Sequence, residues 1–242
     1  MIKIKSFGSG SDGNAYLIDD GQTQLMIECG VSFKKIQQAM RFNFSKVAGC
    51  LISHEHRDHC KYVSQFIDST SIDFYSTQGT FEGMSEDPKL HIHANDYYRF
   101  GFLRYREPKQ VGSWQITAFE VQHDVREPSG FLIDTIAGDR LVFITDSYYS
   151  RYQFPEITHM MIEANYSKDV IDEKMTTGFD LKRKERLIES HFDFDRTLDF
   201  IKTNKSNRLQ EVWLLHLSDS NSNEKNFKEE TQRLTGVPVF IA

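Results

Sequence analysis

Cysteine is scarce, with three residues (Cys29, Cys50 and Cys60) among 242 and no CxxC spacing. So low and odd a count excludes a disulfide-stapled scaffold and suits a reducing compartment. Long hydrophobic runs are missing too, and none approaches the ~20 residues needed to cross a bilayer. The stretch "MIKIKSFGSG" has no long apolar core or cleavage site, so a soluble, cytoplasmic protein without a signal peptide is expected. No Pro/Gly/Ser-rich linker, short-period repeat or low-complexity segment interrupts the chain. Positive charge is in deficit, 29 Lys and Arg against 35 Asp and Glu, for a formal net charge of −6. That argues against a surface coated for general nucleic-acid binding, although bound divalent cations reverse the local sign.

What is present is an ordinary globular composition, 39% hydrophobic and 26% charged, rich in aromatics (19 Phe and 10 Tyr). The length fits one large domain over residues 1–242. Short strands are expected at "IKIKSF", "NAYLID" and "TQLMIE", then a helix at "SFKKIQQAMRF" with Ser32 as N-cap. "VAGCLIS" reads as a buried strand, "CKYVSQFID" as a helix, and "DFYS" and "KLHIH" as short strands. Further on, "SWQITAFEVQH" alternates like a half-buried strand, while "GFLIDTIAG" and "DRLVFITD" suggest a hairpin through Gly138 and Asp139. "HMMIEA" is another strand, residues 168–203 read as helical and charged, and "EVWLLHLS", "EKNFKEETQRL" and "VPVFIA" read as strand, helix and strand. Runs of strands with helices between them predict an α/β class, two packed sheets with helices on the outer faces.

The stretch "LISHEHRDHC" places His54, His56, Asp58 and His59 within six residues, just after a core strand. His54 and His56, two apart on an extended segment, can turn both imidazoles to one point. Asp58 and His59 can face a second point ~3.5–4 Å away, the usual separation in two-metal sites. Imidazole suits zinc and its neighbours, and a carboxylate adds an anionic ligand. Burying four such groups with no metal would leave several polar atoms unsatisfied, at considerable cost. His91 and His93 share the spacing of the first pair but read as an exposed strand face. Three more candidates close hydrophobic strands: His123, Asp146 and His216. Each alone would read as a satisfied polar residue; together with the cluster they could converge on one rim.

"SHEHRDH" fits the H-x-H-x-D-H signature, and the chain thereby resembles the metallo-β-lactamase fold family, a four-layer αββα sandwich. "SFGSGSDGNAYLIDDGQTQLMIECG", "HDVREPSGFLI", "FITDS", "IEANYS" and "LLHLSDSN" are similar to its YycJ-like (WalJ-like) branch, whose characterised members are metal-dependent DNA exonucleases. The resemblance implies one divalent ion, Zn2+ or Mn2+, on His54, His56 and His123. It implies a second on Asp58, His59 and His216, with Asp146 bridging the two. It further implies a hydroxide between the ions, oriented by Asp58, that attacks a phosphodiester of DNA, with 5′ to 3′ polarity in an exonuclease.

His191, in "IESHFDF", is the candidate proton donor to the leaving alkoxide, although "SHFDF" departs from the family's usual Ser-His-Met-Ser form. The competing reading makes His191 a polar cap for the helix near Asp195. "DLKRKERL" offers Lys182 and Arg183 as phosphate contacts, against the plainer reading of a solvated helix face. In "FGSGSDGNA" the glycines permit tight turns and Asn14 can face the rim as a substrate contact. Glu28 and Glu163 are candidates for positions behind the ligands, and Cys60 for packing beneath them. The alternatives are hydrolysis of a small thioester, lactone, β-lactam or cyclic phosphodiester, or a metal-bearing module without turnover. Flavodiiron proteins typically carry Glu where His56 stands, and a β-CASP domain would not fit this length.

Overall fold

The computed structural model describes residues 1–175, 191–218 and 220–242. The chain divides into two compact units, Met1–Glu120 with Val125–Asp139, and Val121–Asp124 with Arg140–Ala242.

In the first unit six strands lie in sequence order: β1 (Lys3–Gly8), β2 (Ala15–Asp19), β3 (Gln24–Ile27), β4 (Val47–Leu51), β5 (Phe74–Ser76) and β6 (Phe100–Phe102). β1, β2 and β3 pair antiparallel, and β3 to β6 pair in parallel. The parallel part needs crossovers. These are α1 (Phe33–Ala39), α2 (Arg57–Cys60) with α3 (Val63–Ser69), and α4 (Gln78–Glu86). Their apolar faces supply Phe33, Ile36, Val63, Phe66, Phe81 and Met84 to a core shared with Met26, Cys50, Ile52 and Phe74. Each such side chain, fully buried, contributes roughly 1.5–3 kcal/mol. Phe33 and Phe66 meet edge to face at 4.7 Å. Three further strands, β7 (Pro108–Val111), β8 (Trp114–Glu120) and β9 (Ser129–Thr135), form an antiparallel ladder. The expected turn at Gly138 forms, with φ of 85° and its N–H donating to Thr135 O at 3.0 Å.

The second unit holds four parallel strands, β10 (Arg140–Ile144), β11 (His159–Glu163), β12 (Glu211–Leu215) and β13 (Val239–Ile241). β11 is buried along its whole length, which is why "HMMIE" reads as an unbroken run rather than an alternation. Among the described residues its helices are α5 (Lys168–Met175), α6 (Phe194–Asn204) and α7 (Glu224–Thr235), the last two joined by a Phe194–Phe227 ring stack at 3.9 Å.

Four expectations need correction. "KLHIH" forms no strand: His91 takes φ of 52°, and the His93 N–H donates to Asp96 at 2.8 Å, opening a 3-10 helix at Ala94–Arg99. The helix over 60–68 is split between α2 and α3 around Lys61 and Tyr62. Ser32 does precede α1, but its side chain makes no capping bond. The helical stretch 168–203 is broken at least at His191–Asp193, and residues 176–190 lie outside the described residues.

Candidate metal centre

The sequence cluster begins where β4 stops. Its apolar strand ends at Leu51, and Ser53 and His54 follow, both buried. The His54 ring lies 4.9 Å from that of His56 and 4.1 Å from that of His59, centroid to centroid. Ser53 Oγ sits 2.9 Å from His54 Nδ1, which turns Nε2 the other way. α2 then starts at Arg57, so Asp58 and His59 occupy a first helical turn and emerge side by side, with Asp58 Oδ2 3.2 Å from His59 Nε2.

Two segments brace this turn from behind. Asn14 Nδ2 donates to Asp58 Oδ2 at 3.3 Å and lies 3.1 Å from His59 Nε2, while its backbone N–H donates to Asp58 O at 2.7 Å. Asn14 is fully buried, so this amide, expected to meet substrate, meets Asp58 and His59. Glu28, also fully buried, accepts from Ser53 N at 3.2 Å and stands 3.6 Å from His59 Nδ1. Burial pushes the Glu28 carboxyl above its ordinary value, against the lowering influence of His59. The glycines of "GSGSDGNA" and "ECG" explain themselves sterically: a Cβ on Gly30 would stand 1.6 Å from Asp58 O, and one on Gly13 2.4 Å from Gly30 O. They let three backbones touch, a role unrelated to phosphate cradling. Cys60 is buried, as expected, with its thiol donating to Glu55 O at 3.2 Å, and burial pushes its pKa well up.

In the second unit the candidates again stand at the C-terminal ends of parallel strands. Asp146 follows β10, Glu163 ends β11, and His216 follows β12. Together with His191 these four bring one donor atom each to within 4.8 Å of one another. His191 Nδ1 lies 2.6 Å from Glu163 Oε1 and 3.3 Å from Asp146 Oδ1, and its ring stacks on His216 at 5.3 Å. His216 Nε2 is 3.7 Å from Asp146 Oδ1. His123, closing its segment as expected, has its ring 6.3 Å from that of His191. Its Nδ1 lies 3.4 Å from Asp124 Oδ1.

Burial acts on both partners of the His191–Glu163 pair, and their mutual attraction overrides it. Desolvation would lower the His191 pKa, yet the Glu163 charge and hydrogen bond hold it above its ordinary value. Desolvation would raise Glu163, yet the His191 charge holds it below. The competing reading of His191 as a helix cap is overturned: Asp193 caps α6, accepting from Arg196 N at 3.1 Å. Lys182 and Arg183 lie outside the described residues.

Of three supporting residues, Glu163 was a candidate for a position behind the ligands, and Asn165 and Ser53 were not assigned a role from the sequence. Glu163 Oε2 accepts from Ser147 N at 3.0 Å and Phe192 N at 3.3 Å, so one carboxylate fixes the loops carrying Asp146 and His191. Asn165 Nδ2 donates to His216 O at 2.9 Å and lies 3.0 Å from its Nδ1. Ser53 does the equivalent for His54. A short polar residue next to a candidate ligand, or two past a strand end, is the signal that would have found them. Imidazole nitrogens with carboxylate oxygens, backed by hydrogen-bonded outer partners, make a donor set that fits divalent ions of the zinc and manganese kind.

The model of the β-lactamase superfamily domain matches residues 23–216. Exodeoxyribonuclease WalJ of Streptococcus pneumoniae serotype 2 is 24% identical over 231 residues, covering 91% of this chain and 83% of that protein. Exodeoxyribonuclease YycJ of Bacillus anthracis is 26% identical over 152 residues, 61% of this chain and 55% of its own length. Among solved structures, the metallo-β-lactamase fold protein YhfI of Bacillus subtilis superposes with a TM-score of 0.71 at 17% identity, covering 100% of this chain and 96% of that one. The α/β fold expected from the sequence is thus that of the metallo-β-lactamase class.

Proposed function

The chain belongs to the β-lactamase superfamily and is a metal-dependent hydrolase, and we propose that it is a DNA exonuclease acting from the 5′ end, with residues 1–242 serving as one catalytic domain. The observation that carries this reading is the gathering of Asp146, Glu163, His191 and His216, because it supplies both metal donors and a group able to move a proton. The ligand set follows the family signature: His54, His56 and His123 for one ion, Asp58, His59 and His216 for the other, Asp146 for both. When bound, two divalent ions would lower the pKa of a water and neutralise charge developing on the phosphate.

The chain's own residues supply the rest. Asp58, its carboxylate held by Asn14 and partly exposed, accepts a hydrogen bond from the attacking water and aims it. His191 places Nδ1 on Glu163, which directs Nε2 outward to protonate the departing 3′ or 5′ oxygen. Glu163 does for His191 what a carboxylate does for an imidazole in any hydrogen-bonded acid–base pair: it fixes the tautomer and steadies the charged form. A DNA alkoxide is a poor leaving group, so a proton donor is the component such a substrate demands and an activated ester does not.

Elemental analysis followed by a panel of end-labelled DNA, RNA, a model phosphodiester and a chromogenic lactam tests the reading. Metal-loaded protein shortens DNA from the 5′ end, and the Asp58→Asn, His59→Ala double variant does not. Full metal content with no action on any phosphodiester, or activity surviving in the double variant, would overturn it.

A further inference from the structure

Immediately after Asp146 and Ser147 the chain exposes two tyrosines in a row, Tyr148 at 37% and Tyr149 at 52%. With Arg151, Tyr152, Arg196 and Phe200 they line a cavity of about 480 Å³, within the range that holds a nucleotide-sized ligand. The lining carries two arginines, Arg151 and Arg196, and one carboxylate, Asp199, while the buried Asp193 pairs with Arg196. Isolated exposed aromatics are common on surfaces. Three tyrosines around one concavity with two guanidinium groups are a different chemistry: flat faces for bases and planar donors for phosphates.

The cavity wall is pinned. Ser147 Oγ donates to Tyr149 O at 2.9 Å and accepts from Gln122 N at 3.0 Å. Arg196 Nη1 donates to Tyr148 O at 2.7 Å, and its Nε lies 3.2 Å from the buried Asp193. Arg151 stands over the Tyr152 ring at 5.5 Å and Phe154 stacks on that ring at 6.0 Å, so Tyr152 belongs to the wall. Asp146 heads this loop and Phe192, which lines the cavity, follows His191 directly, so the cavity is continuous in sequence with two members of the four-donor cluster.

We infer that this cavity holds an unpaired nucleotide of the DNA strand being shortened, its base stacked on Tyr149 and its phosphates paired with Arg151 and Arg196. The inference rests on the nuclease reading for its substrate and names a subsite that reading does not contain. Stacking tolerates any base, because every base has a π face, so the subsite binds single strands without sequence preference.

Fluorescence anisotropy of a labelled oligodeoxythymidylate in EDTA, where no cleavage occurs, measures the subsite alone. Tyr149→Ala weakens binding roughly tenfold, and Tyr149→Trp restores it. Arg151→Gln flattens the dependence of log K on log salt by about 0.7. Equal binding by wild type and Tyr149→Ala, or no binding by wild type, would overturn the subsite. Loss that Tyr149→Trp fails to restore would overturn stacking as its basis. Cleavage by the metal-loaded wild type is scored separately: an intact oligonucleotide there sinks the nuclease reading, while alanine-insensitive binding with cleavage intact sinks only the subsite.

Discussion

Glu163→Gln isolates the proton-transfer step. The carboxylate is fully buried; His191 Nδ1 lies at 2.6 Å and His216 Nδ1 at 3.5 Å, and Ser147 N and Phe192 N donate to it at 3.0 and 3.3 Å. An amide of the same shape can still accept from the two backbone N–H groups. It cannot stabilise a positively charged His191, and its NH2 would compete for the ring. Losing one charge-assisted hydrogen bond costs about 1.5–3 kcal/mol, which a chain of this length registers as a fall of about 3–12 °C in Tm. The fold therefore survives, because domains hold 5–15 kcal/mol in reserve as an order of magnitude. If His191 is the proton donor, the variant forfeits much of a general acid's contribution, ~10²–10⁴ in rate, equal to about 2.7–5.5 kcal/mol of barrier. The assay compares two substrates with metal content held fixed. On DNA, whose alkoxide leaves only with a proton, kcat falls a hundredfold or more. On bis(p-nitrophenyl) phosphate, whose phenolate leaves unaided, it falls less than about tenfold. Equal losses on both substrates would refute the acid role and make Glu163 a matter of loop positioning; loss of bound metal would make it a ligand.

Two further outcomes follow from the same packing. Gly30→Ala drives a Cβ to 1.6 Å from Asp58 O, a clash with backbone that no rotamer relieves. It costs about 3 kcal/mol or more and shows as loss of soluble, metal-competent protein in thermal melts and elemental analysis. Chelation removes a ligand that binds only the folded state, worth about 2.7 kcal/mol at a hundred times Kd, so EDTA lowers Tm by about 5–11 °C and added Zn2+ or Mn2+ restores it. A Tm indifferent to chelator would mean that the donors hold no ion.

The sequence was most legible where chemistry and periodicity coincide. His54, His56, Asp58 and His59 stand out because an apolar run ends in ligand-type residues, and the structure does seat them beyond β4 and in the first turn of α2. Asp146 and His216 likewise close strands. Glu163 was harder, because it is the last residue of a wholly buried strand and its value lies in contacts made 16 residues or more away along the chain. Asn14 and Asn165 look like loop residues until the backbone they touch is in place. The 3-10 helix at Ala94–Arg99 was invisible for a local reason: "HIH" alternates like a strand, while Asp96 reaching back to His93 N sets the real conformation. β7 hides behind Pro108 and the polar Lys109 and Gln110, as an edge strand with few cross-strand partners can.

Of the eight non-glycine residues with positive φ among the described residues, three stand at these places, while Arg41, Phe42, His91, Arg106 and Glu156 lie elsewhere. Glu28, Asp146 and His216 have φ of 64°, 46° and 54°, in the left-handed region that non-glycine residues seldom enter. Each sits one or two residues past the end of a strand, β3, β10 and β12. Such a conformation costs on the order of 1–3 kcal/mol per residue and persists only where neighbours fix it. Those neighbours are identifiable: Glu28 N donates to Leu51 O at 2.8 Å and Cys29 N to His59 O at 2.7 Å, while Asn165 holds His216 O. A glycine at any of the three would relieve the strain and be the cheaper solution for a turn. That a glutamate, an aspartate and a histidine stand there means the turn is bent to aim a side chain. Strain at three strand ends is thus spent on orientation, and orientation of nitrogen and oxygen donors is what a metal-dependent hydrolase requires before any ion arrives.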